Sequence, residues 1–293
     1  MPQPADRGAA KNGEEITMRE SEMTSEVPSF FPDEARDFMA EHPEGSYTLL
    51  DVRQDFEYQD AHLPGATLIP LPTLPDLVRS LDPGKPTIVY CRSGARSRTA
   101  AQFLAHQGFR QVFNLVGGIQ AWEGRPAEGP TEFHLRFVRG DESPQEIVTL
   151  AYEMEKSLQG FHQTMRDRTT DPGLAELLGH LVKAEGAHMK RLVETGLVAA
   201  ERAQSAGPAI MEGGIDAAEF LSRNEPFLRT VPGVIDVAMM IETQALDLYL
   251  RMAQASRRLD TRDVLFQIAD EEKAHLAALG RLLESLPPGT VSS

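Results

Sequence analysis

In the second half of the chain a set of polar residues repeats at one fixed offset, and this constrains the fold more than any other feature. Glu155, His162, Glu185 and His188 recur as Glu242, Tyr249, Glu272 and His275, 87 positions later in every case. Around these residues the hydrophobic period is that of a helix. Ile147, Ala151, Met154, Leu158, Phe161 and Met165 form one apolar stripe, and Glu155 lies within it. Further helices are expected at about 174–197, 234–255 and 263–286, each with its glutamate in the apolar sector. Two copies of a helix-turn-helix unit that keep their polar core positions predict an all-α four-helix bundle made by duplication.

Taken singly, each of these residues reads as an exposed glutamate or an ordinary core histidine. Together they cannot, because burying four unpaired carboxylates costs several kcal/mol each. A cation must answer them. One Glu from each of two helices plus Glu-x-x-His from each of the other two is the donor set with which ferritin-like bundles hold two iron or manganese ions. The predicted ligands are therefore Glu155, Glu185, His188, Glu242, Glu272 and His275, with His162 and Tyr249 close by. Manganese fits the same oxygen and imidazole donors, and zinc would bind without redox chemistry.

The first half has a different grammar. Short apolar strands (47–52, 66–70, 88–91, 111–115) alternate with helical stretches (33–40, 74–81, 97–107), which predicts a parallel α/β sheet covered on both faces. The strand at 88–91 ends in Cys91, the only cysteine of the protein. It opens the segment Cys91-Arg92-Ser93-Gly94-Ala95-Arg96-Ser97, after which a helix begins. Loop amides and the positive end of a helix dipole stabilise an anion at such a place. With Arg92 and Arg96 adjacent, the anion can be the Cys91 thiolate itself, a nucleophile at neutral pH. A buried structural cysteine is the plainer reading, but a glycine, two arginines and two serines within six residues argue against it.

The domains expected from this pattern are a disordered tail at 1–28, an α/β domain at 29–126, a Pro- and Gly-rich linker at 127–141, a bundle at 142–287 and a tail at 288–293. A long crossover from 194 to 233, with a short helix near 215–222, would join the two hairpins. The net charge of −15 leaves no basic stripe for nucleic acid. A lone cysteine and the lack of a long apolar run lead to an expectation of a cytoplasmic protein with no membrane association.

Residues 29–126 resemble a rhodanese domain through Asp51-Val52-Arg53, Glu57-Tyr58, His62-Leu63-Pro64-Gly65-Ala66, the Cys91–Ser97 loop and Gly117-Gly118-Ile119-Gln120-Ala121-Trp122. Ala61 stands where the family commonly has Gly. The resemblance implies sulfurtransferase activity through a persulfide on Cys91. Arg92 and Arg96 would draw in an anionic donor such as thiosulfate, the loop Ser93, Gly94, Ala95 and Ser97 would cradle it, and Asp51 and Arg53 would brace the fold. The implied partners are a thiosulfate or persulfide donor and a thiol acceptor. Thiolate phosphatases of similar layout carry an Arg six positions after the Cys; here it comes after five, in a cradle better sized for sulfur.

Residues 142–286 resemble the ferritin-like superfamily, rubrerythrin-type in particular, through Ala151-Tyr152-Glu153-Met154-Glu155-Lys156 and Ala238-Met239-Met240-Ile241-Glu242. This implies two iron ions, oxidoreductase chemistry with peroxide or oxygen, an external electron donor, and dimerisation as is common among such bundles. The chain departs from that pattern at Ala245, where a further Glu is usual, at His162, where Tyr is usual, and in lacking rubredoxin-like cysteines. The alternative is an iron-handling or sulfide/redox-sensing protein in which the first domain is a docking or sensing module.

Overall fold

The computed structural model describes residues 27–130, 139–194, 210–211, 215–216, 220 and 227–286. Residues 1–26 and 288–293 of the expected tails, the linker's apolar piece at 133–137 and most of the crossover lie outside these residues. Val27 and Pro28, expected in the tail, instead join the first domain: Val27 packs on its core and Pro28 O accepts from Asn114 N–H. Among the described residues no helix is long and apolar enough to cross a membrane.

The first domain is a five-stranded, wholly parallel sheet. Its strands are β1 (Ser29–Phe30), β2 (Thr48–Asp51), β3 (Thr67–Leu68), β4 (Thr87–Tyr90) and β5 (Val112–Leu115), in the order β1-β5-β4-β2-β3. All four residues of β4 are buried, as a central strand covered on both faces requires. Helices α1 (Pro32–Glu41), α2 (Asp55–Asp60), α3 (Leu74–Leu77) and α4 (Ala95–His106) connect the strands. The helix expected at 74–81 is broken up: one α-turn is flanked by 3₁₀ turns at Leu71–Thr73 and Val78–Ser80, in a segment carrying Pro72 and Pro75. Helix α4 starts two residues earlier than expected, because Gly94 takes a left-handed conformation (φ 93°) at its N-cap and turns the chain there.

Four long helices follow: α5 (Pro144–Arg168), α6 (Pro172–Glu194), α7 (Val231–Ala255) and α8 (Leu259–Glu284). A capping box at Ser143 and Glu146 starts α5. Helix α5 packs on α6 and α7 on α8 as two hairpins, with α5 also meeting α8 and α6 meeting α7. The core is divided in two along the helix axes. Ile147–Met154 of α5, Ala245–Ala253 of α7 and Leu265–Ala269 of α8 contribute to one apolar cluster. Leu158–Met165 of α5, Leu174–Leu181 of α6 and Val234–Ile241 of α7 contribute to the other. Glu155, Glu185, His188, Glu242, Glu272 and His275 fall at the junction of the two clusters, one polar layer between two apolar ones. In the crossover, Ile215–Asp216 is a strand paired antiparallel with Ile210–Met211, where a helix was expected to begin. Two-residue pairings of this kind carry too little sequence pattern to be read.

The domains touch directly. Gly65 N–H donates to Asp247 of α7, Gln254 donates to Gly65 O, and Lys273 of α8 reaches Met39 O and Glu44. The start of the expected linker also packs on the α/β domain, since Ala127 is fully buried and bridges His62.

Candidate functional site

Strand β4 delivers Cys91 to the carboxyl edge of the sheet, where parallel sheets bind ligands. The side chain is buried, and Sγ accepts from Gly94 N–H at 3.2 Å and lies 3.5 Å from Ser97 Oγ. Ser97 Oγ also lies 2.7 Å from Asn114 Oδ1, so its single proton is shared between that oxygen and Sγ. Burial pushes the thiol up, but the hydrogen bonds from Ser97 and from the Ser93 and Gly94 amides outweigh it, so Cys91 is held below the usual thiol range. The next turn is laced to the loop by Ile119 N–H to Cys91 O and Gln120 N–H to Arg92 O.

The two loop arginines have unequal surroundings. Arg96 is clamped by Glu57 in a bidentate pair, both contacts at 2.7 Å. Arg96 in turn holds the Glu57 carboxyl down to about 2. Arg92 is exposed and lines a cleft of about 580 Å³ with Arg53, Phe56, Ile119 and Gln120. Arg92 thus faces the cleft, while Arg96 is paired with Glu57 and is also near enough to the Cys91 thiol for the two to interact. Asp51 and Arg53 form a buried pair, and Arg53 also donates to Ala61 O at 2.6 Å. The sequence places Glu57 within a motif but gives it no role, because its partner Arg96 lies 39 positions away.

The helical half brings its six predicted residues together. Ligand atoms of Glu185, His188 and His275, of Glu155, His188 and Glu272, and of Glu242, Glu272 and His275 form three sets, each within 4.8 Å. The His188 and His275 rings stack at 3.6 Å. His188 Nδ1 donates to Glu155 Oε1 at 2.5 Å, and His275 Nδ1 lies 3.6 Å from Glu242 Oε1. His162 Nδ1 points at Glu185 Oε1 from 3.5 Å, whereas Tyr249 turns its hydroxyl towards Met154 Sδ at 4.0 Å. Glu271 and Arg191, which sequence reading missed, form a pair beside His188.

The electrostatics are those of a site short of positive charge. Burial and the Glu242 carboxylate push Glu185 up to about 7. Burial lowers His162 to about 4, and burial with His275 and Arg191 lowers His188 to about 2, so both rings are neutral at pH 7 and have lone pairs to give. Burial lowers His275, but Glu242 and Glu185 more than restore it. Glu185 Oε2, Glu242 Oε2 and His162 Nδ1 are buried without a hydrogen-bond partner among the described residues. Such groups fit divalent cations, which satisfy acceptors that no donor reaches.

Comparison with known proteins settles the first domain. A family profile described as "Rhodanese-like domain" matches residues 32–125. The putative sulfurtransferase YtwF of Bacillus subtilis is 41% identical over 76 residues, which span 26% of this chain and 73% of that protein. The chain belongs to the rhodanese family. Thiosulfate sulfurtransferase GlpE of Coxiella burnetii is 35% identical over 75 residues, spanning 26% of this chain and 70% of the relative. The chain spans only 26% of the chloroplastic rhodanese-like/PpiC protein of Arabidopsis thaliana and 43% of the putative sulfur carrier protein YrkF of Bacillus subtilis, at 44% and 39% identity. Among solved structures, a rhodanese-like domain protein of Staphylococcus aureus is 31% identical, covering 34% of this chain and 96% of its own, with a TM-score of 0.32. The rhodanese match ends at Arg125, short of the helical half.

Proposed function

We propose that the protein is a sulfurtransferase whose Cys91 carries sulfane sulfur, joined to a ferritin-like bundle that holds two iron ions. The observation that supports the first part best is Cys91 Sγ facing the Gly94 amide and the Ser97 hydroxyl, a setting that favours thiolate at neutral pH. The thiolate attacks the outer sulfur of thiosulfate, the sulfur–sulfur bond breaks, and its electron pair leaves on sulfite. Amides of the loop stabilise the resulting persulfide anion. An acceptor thiolate, or cyanide, then takes the outer sulfur and returns Cys91 as thiolate. Arg92 draws the anionic donor into the cleft, and Arg96, fixed by Glu57, holds the shape of the loop.

In the bundle, Glu155, Glu185, His188, Glu242, Glu272 and His275 would hold the metal ions, which supply electron exchange with peroxide or oxygen. The protein's part is a largely buried polar layer flanked by apolar clusters above and below, with His162 beside Glu185. Manganese or zinc are the alternatives to iron, and an external donor would supply electrons. Transfer of sulfur from thiosulfate to cyanide should vanish in C91S. About two metal ions per chain should be bound and should be lost in the E185A/E272A double variant. If C91S retains transfer, the sulfur reading fails; a protein that takes up no metal sinks the bundle reading.

A further inference from the structure

One buried charge cluster lies outside both sites. Asp247, on α7 five residues after Glu242, is fully buried at the junction of the two domains. It accepts from Gly65 N–H at 2.9 Å, lies 3.3 Å from His62 Nε2, and pairs with Arg251 Nη2 at 2.5 Å. Arg251 in turn donates to Pro130 O at 2.7 Å. A carboxylate removed from water is tolerated only when such partners surround it. Here most of those partners come from the rhodanese domain. Gly65 has φ 72°, and a side chain there would run into Leu250, so α7 and the turn at 62–65 are fitted backbone to helix.

That turn is bonded to the Cys91 loop by two routes. Leu63 N–H donates to the hydroxyl of Tyr90, the residue before Cys91. The His62 ring stacks on Tyr58 at 3.8 Å and its Nδ1 donates to Tyr58 O, while the neighbouring Glu57 clamps Arg96. Since a carbonyl only accepts, Nδ1 carries a proton, and Nε2 is the atom left to face Asp247.

We infer that Asp247 of the helical bundle is a positioning residue for the chemistry at Cys91, acting through the His62–Gly65 turn. This rests on the sulfurtransferase reading, but its decisive readout needs no sulfur. The experiment is the pH midpoint of Cys91 alkylation by iodoacetamide in the full-length protein, for wild type, D247N and F266A. Phe266 packs on Gly45, elsewhere in the same interface, and F266A controls for loss of docking stability. In D247N the midpoint should rise by about half a pH unit or more as the loop loosens. Turnover with thiosulfate should fall about tenfold with KM within about twofold, since Arg92 still binds the donor. F266A should lower the melting temperature and leave the midpoint in place. Should D247N not fold, D247S removes the same charge in a smaller volume. An unmoved midpoint, or equal movement in D247N and F266A, overturns the inference. A wild-type protein that takes no sulfur overturns the sulfurtransferase reading instead, and the alkylation comparison still decides the role of Asp247.

Discussion

Replacing Glu57 by Gln tests the electrostatics of the loop, and its size follows from the structure. The Glu57 carboxyl is held at about 2 against an ordinary 4.5, because Arg96 grips it with two 2.7 Å contacts. A shift of that size is worth about 3 kcal/mol, and about 1–2 kcal/mol once the one-third exposure of Arg96 is allowed for. The sign follows from proton linkage. The unfolded chain binds more protons than the folded one between about 4.5 and 2, so this stability is complete above 4.5 and is lost as pH falls through 2. E57Q should therefore unfold at lower urea than wild type by about 1–2 kcal/mol at pH 7, with less than about half of that difference left at pH 3. The protein has one tryptophan, Trp122, in the rhodanese domain, so its fluorescence follows this domain alone. A difference that is absent at pH 7, or the same at both pH values, would refute the argument.

Other expectations follow from the same contacts. S97A removes the hydroxyl that faces Cys91 and should raise the alkylation midpoint of the thiol by about half a unit or more, read by iodoacetamide labelling across pH. Ferrous ion at about a hundredfold over its dissociation constant should raise the melting temperature of the bundle by on the order of 10 °C, because two sites each add about 2.7 kcal/mol. Calorimetry with and without chelator reads this, and identical curves would count against the site. Converting Gly94 to Ala should cost on the order of 1–2 kcal/mol and slow sulfur transfer, since its φ of 93° is strained for any side chain and a Cβ would lie 3.1 Å from Gly117 N. Urea unfolding together with the transfer assay checks both effects.

Much of this was legible because two patterns were long or dense. Six polar residues inside apolar stripes, repeated at a constant offset, place a polar layer in a bundle without any contact being known. The run from β4 to α4 is equally plain, since an apolar strand leads directly into Cys91 and a glycine, two arginines and two serines follow within six residues. Short elements left no such trace. Strand β1 has two residues, α2 has six and is mostly polar, and the helix expected at 74–81 is a single α-turn that gives way to a 3₁₀ turn at Val78. The pairing of Arg96 with Glu57 spans 39 positions, and that of Asp247 with His62 spans the domain boundary; neither has a local signature. Asp247 in a helix reads as one more surface charge until the rhodanese domain is seen to cover it.

The central claim is that Cys91 carries sulfur, and intact-protein mass spectrometry after incubation with thiosulfate tests it most directly. The account predicts that wild type gains the mass of one sulfur atom, that cyanide removes it with release of thiocyanate, and that C91S gains nothing. A wild-type protein whose mass does not change, or a C91S protein that gains the same sulfur, would contradict it.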